Sequence, residues 1–279
     1  MVSYAFKTPP QHGRWADFLA VWQAADDIDI FESGWTMDHF YPLVAPFEGP
    51  HLESWAVLAA MAQATKRLRL GCMVNGMHYR HPAVTANAAA TLDHISGGRF
   101  SLGMGAGWFE MESKAYGIRL GTMRERFDRF DEGLEIIVSL LANETTSFDG
   151  KFFQLKDARC EPKPLQRPLP LVIGGSGPTR TLRAVAQFAN HWDMVGASSP
   201  AAWRKANETL LGHCAAVGRD PASILRSVHI MWLPDADPSA LADQAAAFAA
   251  EGVDLVIFSM RGPYEVRLLE PLAQALRNR

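Results

Sequence analysis

Two kinds of segment alternate along the chain. Short apolar runs rich in β-formers lie at Val2–Phe6, Ile28–Ser33, Leu68–Val74, Arg99–Met104, Leu169–Ile173, Trp192–Gly196, Leu225–Leu233 and Asp254–Ser259. Between them run longer stretches at helical spacing. Trp15, Phe18, Leu19 and Trp22 stand at i, i+3, i+4 and i+7, which places all four on one helix face. The same reading predicts helices at Leu52–Ala64, Pro82–His94, Thr179–Ala189, Ala201–Val217, Ser239–Ala250 and Tyr264–Arg277. Alternation of strand and helix implies βαβ units and a parallel sheet. Eight strands in roughly 250 residues fit an α/β (β/α)8 TIM barrel better than a doubly wound sheet.

One stretch breaks the rhythm. From Gly105 to Pro168 the chain carries an extra helix, Arg124–Leu141, and a hairpin-like segment, Thr145–Leu155, around Asp149-Gly150. It reads as an insertion after strand four. The run Pro162, Pro164, Pro168, Pro170 then delivers the chain into strand five. No repeat, low-complexity tract or charge block divides the sequence, so residues 1–279 read as one domain.

Composition narrows the class. With 27 basic and 30 acidic residues the net charge is −3, which argues against a nucleic-acid protein with its basic stripe. The longest purely apolar stretch, Trp55 to Ala62, is far short of the roughly 20 residues of a membrane span. No secretory signal is visible, and three widely spaced cysteines give no disulfide framework. The expectation is a soluble, cytoplasmic protein, and an enzyme before a scaffold.

In such a barrel, function sits in the loops after the strand C-termini. The chemically unusual residues fall there. Asp38-His39 follows strand two, and a histidine titrating near neutral pH can give and take protons at an open mouth. The bland alternatives are a satisfied structural histidine and a turn-capping Asp38. After strand five, Gly174-Gly175-Ser176-Gly177 precedes a helix start at Pro178. Backbone N–H groups there suit a phosphate, with charge from Arg180 or Arg183. A turn that needs positive φ explains the same glycines. Gly103-Met104-Gly105-Ala106-Gly107 suits either a planar cofactor close to the backbone or tight packing. His78 and His81 lack a carboxylate or thiol at ligand spacing, so no metal site is expected. Cys72 reads as inert core, and Arg124–Arg129 as a solvated helix face with i,i+4 pairs. No lysine stands at a predicted strand end, which disfavours Schiff-base chemistry.

Together these residues resemble the bacterial luciferase-like monooxygenase superfamily, and most of all its short branch using the deazaflavin coenzyme F-420. The matching pieces are Thr8-Pro9-Pro10-Gln11, Asp38-His39-Phe40, Arg80-His81-Pro82 and Thr91–Arg99 running into Gly103–Trp108. Glu161-Pro162-Lys163-Pro164 and Ile173–Gly177 complete them. The match extends over nearly the whole chain.

The resemblance implies a flavin-type cofactor across the barrel mouth, its phosphate at Gly174, Gly175, Ser176 and Gly177. It implies Gly105, Ala106 and Gly107 near the ring, and a non-prolyl cis peptide at Met73–Val74, with Asn75 beside it, behind the ring. His39 matches a proton-handling histidine, with Asp38 alongside. One departure stands out: related sugar-phosphate dehydrogenases carry a glutamate where this chain has Trp108, with Glu110 and Glu112 further on. The shortness of the chain favours the deazaflavin over FMN. The expected activity is hydride transfer between coenzyme F-420 and a small organic substrate, by a homodimer. The alternatives are an FMN-dependent monooxygenase and a flavin-binding protein without turnover.

Overall fold

The computed structural model describes residues 2–279. Strands β1 (Ser3–Lys7), β2 (Phe31–Thr36) and β3 (Arg69–Cys72) alternate with helices α1 (Trp15–Asp26) and α2 (Ser54–Ala64). The two-residue β4 (Asn75–Gly76) continues the path of β3, and α3 (Pro82–Ser96) leads into β5 (Phe100–Gly105). Then come α4 (Glu110–Ala115), α5 (Met123–Ala142) and an antiparallel hairpin of β6 (Thr146–Asp149) and β7 (Gln154–Ala158). The chain closes with β8 (Leu171–Gly174), α6 (Thr181–Phe188), β9 (His191–Met194), α7 (Pro200–Val217), β10 (Leu225–Trp232), α8 (Pro238–Ala250), β11 (Leu255–Met260) and α9 (Leu269–Arg277). Apart from the hairpin, all strands pair in parallel. The order β3-β2-β1-β11-β10-β9-β8-β5 is closed by β3 pairing with β5. This is a (β/α)8 TIM barrel, with β3 and β4 sharing one barrel position.

The pleat sorts side chains to two cores. Ala5, Trp35, Met73, Val172, Leu255 and Ile257 fill the barrel interior. Phe6, Phe31, Phe100 and Phe258 belong to the outer core, under the helices. In the outer core Phe6 meets Trp22 edge-on at 5.4 Å, and the Trp22 indole N–H donates to Thr8 Oγ1 at 2.8 Å. Each such buried aromatic contributes about 1.5–3 kcal/mol of transfer free energy. The fit is tight, since a Cβ at Gly34 would lie 2.8 Å from the Trp22 ring.

Several sequence expectations shift. On α1 the buried face is Phe18, Val21, Trp22 and Ala25, while Trp15 is 38% exposed, because the stripe drifts with the 3.6-residue turn. Strand two begins at Phe31, not Ile28, because Asp27–Ile30 form the turn that ends α1. The helix read as extra is α5, and it is an ordinary member of the outer ring, packed against α3 and α6. It starts at a Thr122/Glu125 capping box, and Phe130, Gly133, Leu134, Ile137 and Leu140 form its buried stripe. The insertion proper is therefore α4 and the β6–β7 hairpin.

Candidate functional site

At the C-terminal ends of the strands opens a cavity of about 610 Å³, within the range that holds drug-sized ligands. Met73, Val74 and Asn75 meet there with Gly105, Ala106, Gly107, Gly174, Gly175, Ser176 and Gly177, and with Asp38 and His39. The Met73–Val74 bond is cis. Val74 settles between glycines of neighbouring strands: a Cβ at Gly174 would lie 3.0 Å, and one at Gly105 2.7 Å, from its methyl groups. Asn75 donates its amide to Gly103 O at 2.7 Å.

His39 is buried, and its Nδ1 lies 2.6 Å from Glu112 Oε1. Glu112 is completely buried at the heart of short α4. It also accepts the Phe40 and Tyr41 amides, at 2.7 and 3.2 Å, and the Tyr79 hydroxyl. Burial pushes its carboxyl up, but the bonds from His39, Tyr79 and the Phe40 amide outweigh this and hold it below the usual carboxylate range. An ionised Glu112 fixes His39 as the Nδ1–H tautomer and leaves Nε2 free to handle a proton. The sequence places this glutamate beyond Trp108 and gives it no role, since it lies 73 residues from its partner.

Asp38 stands beside His39 in the same wall. Its carboxylate is fully buried and takes both ends of the Arg80 guanidinium, at 2.6 and 3.2 Å. Arg80 in turn meets Glu53 at 2.6 Å. Burial raises the Asp38 carboxyl, with Arg80 opposing. So held, Asp38 anchors the loop that presents His39.

Arg180, expected to serve the cofactor phosphate, stands apart from the other candidates. It does not line the cavity, because Asp128 and Asp131 of α5 take its two guanidinium ends at 2.6 Å each. Arg126 does line it, and donates to Gly107 O at 3.1 Å. One side of the Arg124–Arg129 run, Arg126 and Phe127, therefore faces the cavity and not solvent. His78 also lines it, lowered by burial to about 4 and hence neutral. The expectation of no lysine at a strand end fails too. Lys7 closes β1 one residue beyond the predicted strand, and is buried in the cavity wall. Cys72 is free and buried as expected, its thiol pushed up to about 12 by burial.

The profile of the luciferase-like monooxygenases matches residues 2–278. The chain belongs to that family. An F420-dependent glucose-6-phosphate dehydrogenase of Amycolatopsis mediterranei is 32% identical to this luciferase-like chain over 192 residues, covering 68% of it and 55% of the relative. A pyrimidine monooxygenase RutA of Bradyrhizobium sp. is 29% identical over 212 residues, 75% of this chain and 58% of its own. The chain thus spans little more than half the length of these two relatives. Among solved structures, an F420-dependent secondary alcohol dehydrogenase with an F420–acetone adduct superposes with a TM-score of 0.87 over 99% of both chains. A coenzyme F420-dependent tetrahydromethanopterin reductase from Methanopyrus kandleri gives 0.85, also over 99% of both. At 19% and 18% identity these two show the fold.

The lining fits a flavin-type group. Asn75 Oδ1, His78 Nδ1 and Arg126 Nε are buried without a hydrogen-bond partner, although such atoms are normally satisfied. They offer one acceptor, one ring nitrogen and one cationic donor to a flat, heteroatom-rich ligand. Gly174, Gly175, Ser176 and Gly177 lie one turn, Pro178–Arg180, before the N-terminus of α6, a place that favours an anion. No helix among the described residues is long and apolar enough to cross a membrane.

Proposed function

We propose that this chain is an oxidoreductase that transfers hydride between coenzyme F-420 and a small organic substrate. The observation that carries this reading is the buried His39–Glu112 pair opening on the same cavity as the glycine loop and the unpartnered polar atoms. When bound, the deazaflavin supplies a hydride acceptor or donor; the barrel supplies the rest. Val74 and Asn75 support one side of the ring, and Gly105–Gly107 bound it. The loop Gly174–Gly177 and the Arg126 guanidinium take the anionic tail. His39 Nε2 receives or returns the substrate's hydroxyl proton as hydride moves, while Glu112 stabilises the imidazolium that forms.

Trp108 shapes the substrate side. It is 60% exposed at the rim, stacked on Phe109 with centroids 5.0 Å apart and 5.7 Å from the His39 ring. This apolar surface occupies the position where the resemblance puts the acid of sugar-phosphate dehydrogenases, so the reading does not extend to a sugar phosphate. The second reading, an FMN-dependent monooxygenase, is favoured by the similarity to the pyrimidine monooxygenase. Storage of a flavin without turnover is opposed by the His39–Glu112 pair, for which storage has no use.

Titrating the apoprotein with coenzyme F-420 and with FMN, followed by fluorescence, separates the first two readings. The proposal expects the deazaflavin to bind more tightly. Reduced cofactor mixed with a panel of ketones, aldehydes and enones then reports turnover by absorbance. His39→Ala is expected to keep the cofactor and lose turnover. Full turnover by that variant removes the role given to His39, and tight FMN binding with none for coenzyme F-420 overturns the proposal.

A further inference from the structure

A TIM-barrel interior is normally filled with branched apolar side chains. Here the layer beneath the cavity is ionic. Lys7 from β1, Asp193 from β9 and His229 from β10 each follow, two residues on, an inward-facing neighbour: Ala5, His191 and Ser227. Lys7 Nζ donates to Met73 O at 2.9 Å. Asp193 is completely buried; it accepts from Ser227 Oγ at 2.6 Å and lies 3.1 Å from His229 Nε2. His229 Nε2 also touches Met73 Sδ at 3.4 Å. His191 approaches Ser227 Oγ at 2.7 Å. Of this cluster, Lys7 is the member that lines the cavity.

Burying two charged groups costs several kcal/mol per ion, and an apolar pair would fill the space as well. The cluster therefore needs a reason beyond packing. Burial lowers the Lys7 ammonium, and the carboxylate of Asp193 opposes that shift. Although burial alone would raise Asp193, the charge and hydrogen bonds of His229, with Ser227, hold it at about 2. Asp193 is thus a fixed buried anion, and the Lys7 ammonium, bonded to Met73 O, lines the ligand cavity.

We propose that Lys7 is a cofactor-contacting residue whose ammonium, held in the cavity wall by Met73 O, stabilises the negative charge that a flavin-type ring gains on reduction. This rests on the functional reading above. Hydride transfer from the organic substrate adds two electrons and one proton to a bound ring, and so one unit of negative charge. The substrate is oxidised by the same two electrons, and its hydroxyl proton passes to His39 Nε2. A cation beside the ring therefore favours the reduced form over the oxidised one.

The measurement is the Kd of oxidised and of reduced coenzyme F-420, with FMN as a second probe, for the wild type, Lys7→Met and the double variant Lys7→Met/Asp193→Asn. Lys7→Met removes the cation and leaves Asp193 with its partners Ser227 and His229; the double variant, which removes both charges, decides the matter if the single one does not fold. In each variant, affinity for the reduced form is expected to fall about tenfold more than for the oxidised form. By the two-electron relation this is a midpoint potential lower by about 30 mV. Equal weakening of both forms means a merely structural Lys7 and overturns the inference, as does no change in either. A wild type that binds neither cofactor overturns the functional reading and this inference with it, a result distinct from the other two.

Discussion

The two ends of the barrel use charge in opposite ways. At the base, beneath the strand N-termini, charged side chains close the chain upon itself. Arg99 donates to the carbonyls of Ala62, Thr65, Leu68 and Ser96 at 2.6–3.0 Å. Arg67 does the same for Ala25, Asp26, Ile28 and Phe31. Asp26 accepts the amides of Lys66, Arg67 and Leu68. At the mouth, by contrast, Asn75, His78 and Arg126 keep polar atoms without partners, and Lys7 and His39 border open space. Both ends carry arginines and carboxylates; what separates them is satisfaction. A buried polar group left unmatched costs free energy, and a fold keeps it where a ligand completes it. Substitutions at the base should therefore be felt in stability, and those at the mouth in binding and turnover.

The largest effect should follow from Glu112→Gln at the mouth. Without the carboxylate, His39 loses the partner that fixes its tautomer and steadies its charge, and kcat for hydride transfer is expected to fall about 10²- to 10³-fold. The Kd for cofactor should stay within about twofold. Steady-state kinetics beside a binding titration checks this, and unchanged kcat would separate Glu112 from the chemistry. Arg99→Met at the base should do the reverse. Four carbonyls lose a cationic donor, and stability should drop by about 3 kcal/mol in denaturant unfolding while kcat stays constant. An Arg99→Met enzyme that is stable but inactive would erase the distinction between the ends.

A smaller effect concerns pH. Burial lowers His51, His78 and His191 each to about 4, whereas an unfolded histidine titrates near 6.5. Between those values the unfolded chain binds protons that the native chain refuses. Their contribution is therefore complete above pH 6.5 and is lost as pH falls toward 4. The thermal midpoint should decline over that window, and His78→Gln should flatten the slope without touching the base. A midpoint independent of pH between 4 and 6.5 would contradict the burial of these rings.

Legibility in the sequence follows the range of the interactions involved. The barrel was readable because each strand and helix announces itself by local period, and the glycine loop and His39 because strand ends are local features too. Helix α5 reads as supernumerary because the segment 106–122, with short α4 inside it, separates it from β5 and hides its place in the ring. Glu112 carries no local sign of its role, because it sits among charged Glu110 and Lys114, and only the closure of the loop after β2 onto α4 buries it. Lys7 lies just past the apolar run that marks β1, and nothing local says that it faces inward. Arg126 and Arg180 look alike in sequence. Asp128 and Asp131 claim one and leave the other to the cavity, a choice fixed by how α5 meets α6.

That last contrast provides the most direct measurement of the central claim, that the mouth is a flavin-type cofactor site. Calorimetric titration of coenzyme F-420 into wild type, Arg126→Gln and Arg180→Gln, with each protein's melting curve recorded, compares an arginine that lines the cavity with one held by carboxylates. The account predicts a saturable one-to-one complex in the wild type, at least about tenfold weaker in Arg126→Gln and unchanged in Arg180→Gln. Equal affinities in all three proteins, or stronger dependence on Arg180 than on Arg126, would contradict it.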